Sequence, residues 1–133
     1  MIHWNPHLHF DGRCEEAFRY YARHLGATVT HLQPYEDEPE LILHATLTLG
    51  TQRLTGADVR PGAYRPPDGF SILLNTDQPE DADRFFAALS AQGTVTMPLQ
   101  QTFWAVRFGM VTDQFGTPWM INCSNATSEF PPG

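Results

Sequence analysis

Two stretches of sequence decide the fold: EEAFRYYA at residues 15–22 and EDADRFFA at residues 80–87. Acidic residues, alanines, an arginine and an aromatic pair recur in register after 65 positions, about half of the 133-residue chain. A repeat of this length indicates duplication of one supersecondary unit rather than a solenoid of short repeats.

Both stretches have the hydrophobic spacing of an amphipathic helix. Their apolar positions recur at helical intervals at Cys14, Ala17, Phe18, Tyr21 and Leu25, and again at Ala82, Phe85, Phe86 and Leu89. Acidic residues lie in both first turns, as the helix dipole favours. Gly26 and Gly93 are predicted to end the two helices.

Strand signals surround each helix in the same order. The predicted strands are residues 6–10, 28–32, 41–49 and 52–55 in the first half, and residues 70–75, 94–97, 105–111 and 118–123 in the second. The chain is therefore expected to be a single α+β domain over residues 1–133. It would hold two βαβββ modules (about residues 4–58 and 69–123), a linker at 58–69, loops at 34–40 and 98–103, and a polar tail at 124–133.

The first strand alternates apolar and imidazole side chains. Leu8 and Phe10 are predicted to face the helix, while His7 and His9 face the opposite side of the sheet. His44 has the same placement on a later strand. Polar residues on that face indicate either a functional pocket or a solvated surface.

Composition narrows the classes of partner. The net charge of −7, with eight scattered basic residues, argues against nucleic acid. No run reaches the about 18 apolar residues of a membrane span, and no signal peptide is visible, so a cytoplasmic protein without a membrane partner is expected. Cys14 and Cys123 are expected to be two free thiols, with one disulfide as the alternative. Cys14 is either activated by its helix terminus or buried and inert.

Three motifs carry a resemblance to a known family: FDGRCEEA at 10–17, MPLQQTFW at 97–104 and RFGMVTDQFGTPWMINC at 107–123. The chain resembles the vicinal-oxygen-chelate superfamily, which includes glyoxalases, bleomycin-resistance proteins and dioxygenases, and most of all its PhnB-like branch. The resemblance implies two βαβββ modules forming a cup-shaped mixed sheet with flanking helices. It also implies a homodimer, a small-molecule ligand and, in the family's enzymes, a divalent metal.

The family's metal ligands match this sequence at only one position. His7 matches the first ligand, but residues 69–72 offer no usual second ligand, and Met120 replaces the third, a glutamate. The standard metal site is therefore expected to be degenerate. An altered site using His7, His9 and His44 is the alternative, with Asp58 as a weaker addition.

Aromatic and polar residues near the last two strands complete the set of ligand-binding candidates. Trp104, Phe103, Phe108 and Trp119 could stack on a flat ligand or belong to the core. Arg107 could meet an anionic group or pair with an acidic residue. The predicted ligand-binding set is His7, His9, His44, Trp104, Arg107, Met120 and Asn122, with His7 alone as a metal candidate.

Two functions follow from these residues and this resemblance. The first is a small-molecule-binding protein with a degenerate metal site and no required cofactor. The second is a metal-dependent enzyme, a glyoxalase-like lyase or isomerase or a dioxygenase, using the altered histidine site. A dimeric scaffold with a vestigial pocket is a third reading, since fold alone does not decide function.

Overall fold

The fold was obtained as a computed structural model that describes residues 1–124; the predicted tail falls outside this range from residue 125 onward. The chain divides into two compact units at Arg65 and Pro66. The first unit contains β1 (His7–Phe10), α1 (Cys14–Leu25), β2 (Thr28–Pro34), β3 (Ile42–Leu49) and β4 (Gln52–Asp58). The second unit contains β5 (Ile72–Thr76), α2 (Pro79–Ser90), β6 (Thr94–Gln100), β7 (Ala105–Thr112) and β8 (Pro118–Ser124).

Each unit is a four-stranded mixed sheet with one helix. The strand orders are β1-β4-β3-β2 and β5-β8-β7-β6, so the two sheets have the same topology. In each, the first and last strands of the unit pair in parallel and the other neighbours are antiparallel. The predicted α+β fold with two βαβββ modules is confirmed.

Helix α1 packs closely against one face of its sheet, because an aromatic side chain of the helix meets a sheet position that has no side chain. A side chain at Gly56 would place its Cβ 2.8 Å from Phe18 Cζ and 3.2 Å from Phe10 Cε2. The Phe10 and Phe18 rings meet edge to face with centroids 5.8 Å apart. This close packing leaves only the opposite face of the first sheet for other side chains.

The end of α2 differs from the sequence prediction. The helix ends at Ser90, and Gln92, rather than Gly93, has a positive φ of 57°. Gly93 is needed for another reason, because a Cβ there would lie 2.6 Å from the backbone oxygen of Thr112. The predicted loops are also shorter than expected, since β2 runs to Pro34 and β6 to Gln100.

The carboxylate of Asp58 connects three elements of the first unit. It is fully buried, and its Oδ1 accepts from the backbone N–H of Cys14 at 3.0 Å while Oδ2 accepts from that of Ile42 at 2.9 Å. The first bond satisfies an N–H at the start of α1, where Arg13 provides no side-chain cap. Asp58 therefore has a structural role that excludes it from the predicted metal site.

The helices are short. No helix within residues 1–124 has both the length and the apolar character needed to cross a membrane.

We expect Asp58→Ala to lower the free energy of unfolding by about 3 kcal/mol, because two buried N–H groups lose charge-assisted bonds. Urea denaturation followed by circular dichroism measures the change. Asp11→Ala, at an exposed position, is the control and should stay within about 0.5 kcal/mol of the parent. Equal stabilities of the two variants would show that the Asp58 carboxylate does not hold these elements together.

Candidate functional site

The face of the first sheet opposite α1, called here its open face, is lined by polar side chains. Strand register places His7, Thr55, Thr46 and His31 in one cross-strand row, and it pairs His9 with Ala57 and His44 with Gln33. Leu8 and Phe10 point the other way and are buried. The predicted alternation along β1 is therefore present.

Four imidazoles meet on this open face. Ring centroids are 5.3 Å apart for His7 and His9, 6.1 Å for His7 and His44, and 5.3 Å for His31 and His44. The partner of His9 on β4 is the small Ala57, which leaves room beside the His9 ring. His31 was not among the predicted candidates, because a bulge in β2 brings it to this face.

His7 is held by hydrogen bonds to its neighbouring strand. Its Nδ1 lies 2.7 Å from Thr55 Oγ1, which also accepts from Asn5 Nδ2 at 2.9 Å and donates to the backbone oxygen of Pro6 at 3.3 Å. Partial burial, followed by the charges of His9 and His44, lowers the pKa of His7. Both effects favour a neutral ring. Because Nδ1 faces Thr55, Nε2 points away from Thr55.

No three His, Cys, Asp or Glu side chains within residues 1–124 form a group that could hold a metal ion. The second unit contributes no ligands of the expected kind either, because Ser71 and Met120 stand where the family resemblance calls for a histidine or carboxylate. A hydroxyl and a thioether are poor ligands for a hard divalent ion. The residues present therefore do not fit the family's metal site.

The open face of the second sheet, opposite α2, has a different chemistry. Register places Phe108, Met110 and Thr112 of β7 on it, beside Asn122, Met120 and Pro118 of β8. An open pocket of about 530 Å³ lies at one end of this face. Its walls comprise residues 67–71 before β5, Thr96 of β6, residues 110–112 of β7 and residues 118–120 of β8.

Ser71 and Met120 both line this pocket. These two positions thus belong to a pocket whose walls combine thioether and aromatic residues, among them Met110 and Phe70, with the polar residues Asp68, Thr96 and Thr112. Met110 and Phe70 were missed in the sequence because only strand register shows which residues accompany Met120.

The predicted aromatic candidates separate into two groups. Trp104 contacts Phe108, with centroids 5.4 Å apart, and Phe103, which is 84% exposed. Trp119 is buried, and its Nε1 donates to Asp113 Oδ2 at 2.8 Å, so it belongs to the core, as the alternative reading of the sequence had it. Phe108 is also buried.

The polar candidates near β7 and β8 are engaged within the unit. Arg107 forms an ion pair with Asp83 of α2, Nε to Oδ1 at 3.1 Å, so it lies on the helix side of its sheet and away from the pocket residues. Asn122 is buried, and its Nδ2 donates to Asn75 Oδ1 and Ser124 Oγ, each at 3.0 Å. The salt pairing considered for Arg107 is what the structure contains.

The two cysteines are free and buried. Burial, reinforced by the carboxylates of Asp58 and Glu15, raises the pKa of the Cys14 thiol to about 12. Desolvation thus outweighs the effect of the helix dipole on the pKa of this thiol. Of the two alternatives for Cys14, activated or buried and inert, the structure supports the second.

Comparisons with known proteins agree with the fold and the resemblance. A sequence model of the Glyoxalase/Bleomycin resistance protein/Dioxygenase superfamily matches residues 6–121. Protein YjdN of Escherichia coli (strain K12) is 34% identical over 136 positions, covering 89% of this chain and 92% of that protein.

Two solved structures extend this similarity. Protein PA1353 from Pseudomonas aeruginosa has a TM-score of 0.84 and 41% identity, with 94% of this chain and 99% of that one covered. A PhnB protein from Bacillus cereus has a TM-score of 0.80 over 92% of this chain and 100% of that one, and at 23% identity it supports the fold alone.

We expect His7→Ala to lower the free energy of unfolding by less than about 1 kcal/mol, since His7 is exposed and loses one neutral hydrogen bond. Leu8→Ala, one residue along on the buried face, should cost about 2–5 kcal/mol. Chemical denaturation of the two variants compares the faces of β1 directly. A large loss for His7→Ala would place its ring in the structural core.

Proposed function

Because this chain belongs to the glyoxalase/bleomycin resistance protein/dioxygenase superfamily, we propose that it binds a small, partly aromatic molecule in the pocket of its second unit. Binding requires no metal ion of the family type. The observation that supports this function is that Ser71 and Met120, at the family's ligand positions, line the pocket together with Met110 and Phe70.

The size and chemistry of the pocket suit such a ligand. Its volume of about 530 Å³ falls within the roughly 300–1,000 Å³ of small-molecule sites. Methionine side chains are flexible and polarisable, so Met110 and Met120 adapt to flat rings of different outline. Thr96, Thr112 and Ser71 add hydroxyls that orient a polar group on the ligand.

Of the predicted ligand-binding residues, Met120 is the one that lines the pocket. Asn122 lies farther along the same open face, where it pairs with Phe108. Trp104 contacts the Phe108 ring. A ligand longer than the pocket would extend over them. Arg107 has no part in the proposal.

We also propose a homodimer in a reducing compartment, the cytoplasm. The family resemblance supports the dimer, and two buried thiols at Cys14 and Cys123 suit a reducing environment. Analytical ultracentrifugation of the untagged protein measures the oligomeric state.

A second candidate function is a metal-dependent lyase, isomerase or dioxygenase. The observation that favours it is the group of four imidazoles on the first sheet, because neutral imidazole binds catalytic transition metals. The two candidates respond differently to chelation. Ligand binding in the pocket should survive exhaustive treatment with EDTA, whereas turnover by a metalloenzyme should stop.

We expect the uncharged aromatic probe Nile red to bind the parent saturably at one site per chain, with enhanced probe fluorescence. Met120→Lys should weaken this binding at least about tenfold, because it replaces a thioether of the pocket wall with a hydrated ammonium that an uncharged aromatic probe would have to desolvate. Leu49→Lys, which places the same charge at an exposed position of the first unit, is the matched control.

Near-ultraviolet circular dichroism of each variant verifies that the fold is retained. Non-saturable probe binding, or equal affinity in the parent and in Met120→Lys, would contradict the pocket as the binding site. Saturable binding that planar competitors displace would support it.

A further inference from the structure

The open face of the first sheet holds its four imidazoles as two close pairs. His7 and His9 are two residues apart on β1, and their rings are 5.3 Å apart. His31 of β2 and His44 of β3 are also 5.3 Å apart. The shortest distance measured between the pairs, from His7 to His44, is longer, at 6.1 Å.

These separations match what one metal ion requires of two ligands. With a metal–nitrogen bond of about 2.0–2.1 Å, two imidazoles on a tetrahedral ion have ring centroids about 5 Å apart. Each pair is within a small ring rotation of that value, and His9 and His31 are exposed, so their rings can rotate. In that tetrahedral geometry the 6.1 Å separation of His7 and His44 is too long without a larger rearrangement, which agrees with the absence of a three-ligand group within residues 1–124.

We propose that His7 with His9, and His31 with His44, each chelate one divalent transition-metal ion on the first sheet. The remaining positions of each ion go to water or to an exogenous ligand. The proposal does not depend on ligand binding in the second unit, and it involves none of the pocket residues.

The hydrogen bonds of His7 prepare it for this role. Thr55 Oγ1 lies 2.7 Å from His7 Nδ1 and 3.3 Å from the backbone oxygen of Pro6, so its one hydrogen has two possible acceptors. When Nε2 binds an ion, Nδ1 carries the ring hydrogen and can donate it to Thr55 Oγ1, whose own hydrogen is then left for Pro6. Metal-binding histidines commonly have their second nitrogen fixed by such a partner.

The neighbouring groups select the class of ion. The rows of the open face contain imidazoles, hydroxyls, an amide and an alanine but no carboxylate, and Asp58 accepts backbone hydrogen bonds elsewhere in the unit. Calcium and magnesium prefer oxygen ligands, mostly carboxylates. Imidazole pairs favour Cu²⁺, Ni²⁺ and Zn²⁺ instead, with Cu²⁺ the tightest by the Irving–Williams order.

The test is a titration of the untagged, EDTA-treated protein with Cu²⁺ and with Zn²⁺ by isothermal calorimetry, in a His3→Gln background because an amino-terminal Met1-Ile2-His3 sequence chelates Cu²⁺ by itself. We expect two ions per chain in the parent and one in either His9→Gln or His31→Gln. His24→Gln, which removes an imidazole from α1, is the matched control and should keep two. Electron paramagnetic resonance of the Cu²⁺ form should show two nitrogen ligands on each ion.

A positioning variant examines the role of the Thr55 hydroxyl. Thr55→Val should weaken the ion at His7 and His9 by about 10–100-fold, leave the other ion unchanged, and be rescued by Thr55→Ser. Unchanged melting temperatures without metal show that these variants fold. Unaltered stoichiometry in both His9→Gln and His31→Gln, or no saturable binding in the parent, would overturn the proposal while leaving the pocket of the second unit untouched.

Discussion

The packing of one helix against one face of each sheet is the constraint on which the remaining structure depends. In the first unit, Phe18 comes so close to the sheet that only glycine fits at position 56. Because successive side chains of a strand alternate between faces, residues that flank the buried ones must lie on the opposite face. That is why His7, His9 and His44 share one surface, which His31 joins through the bulge in β2.

The two copies of the module keep the same topology but differ in the chemistry of their open faces. Thr55 and Ala57 in β4 correspond to Met120 and Asn122 in β8, each 65 positions later. The first copy therefore presents imidazoles and hydroxyls, and the second presents thioethers, an aromatic ring and an amide. Duplication gave one scaffold two surfaces that could change independently, because neither set of side chains supports the helix packing of its unit.

Much of the fold could be predicted from the sequence because it rests on local periodicity. The helix over Cys14–Leu25 and the strand alternation at His7–Phe10 follow from the spacing of apolar residues. The predicted stop at Gly93 was wrong, since that glycine serves a close approach to Thr112 rather than a left-handed turn. Site residues were predictable only in part. The bulge that brings in His31, the register that joins Met110 to Met120 and the ion pair that removes Arg107 all depend on tertiary structure.

The bonds of Asp58 also bear on how the first unit assembles. The contact between its carboxylate and the start of α1 spans 44 residues, and the second contact reaches β3. The helix terminus is thus left without this acceptor until the last strand of the unit has arrived. Partial assemblies gain little from either bond, because one carboxylate serves both partners. The first unit should consequently form in a single cooperative step, with few populated intermediates in which the helix is docked but the sheet is incomplete.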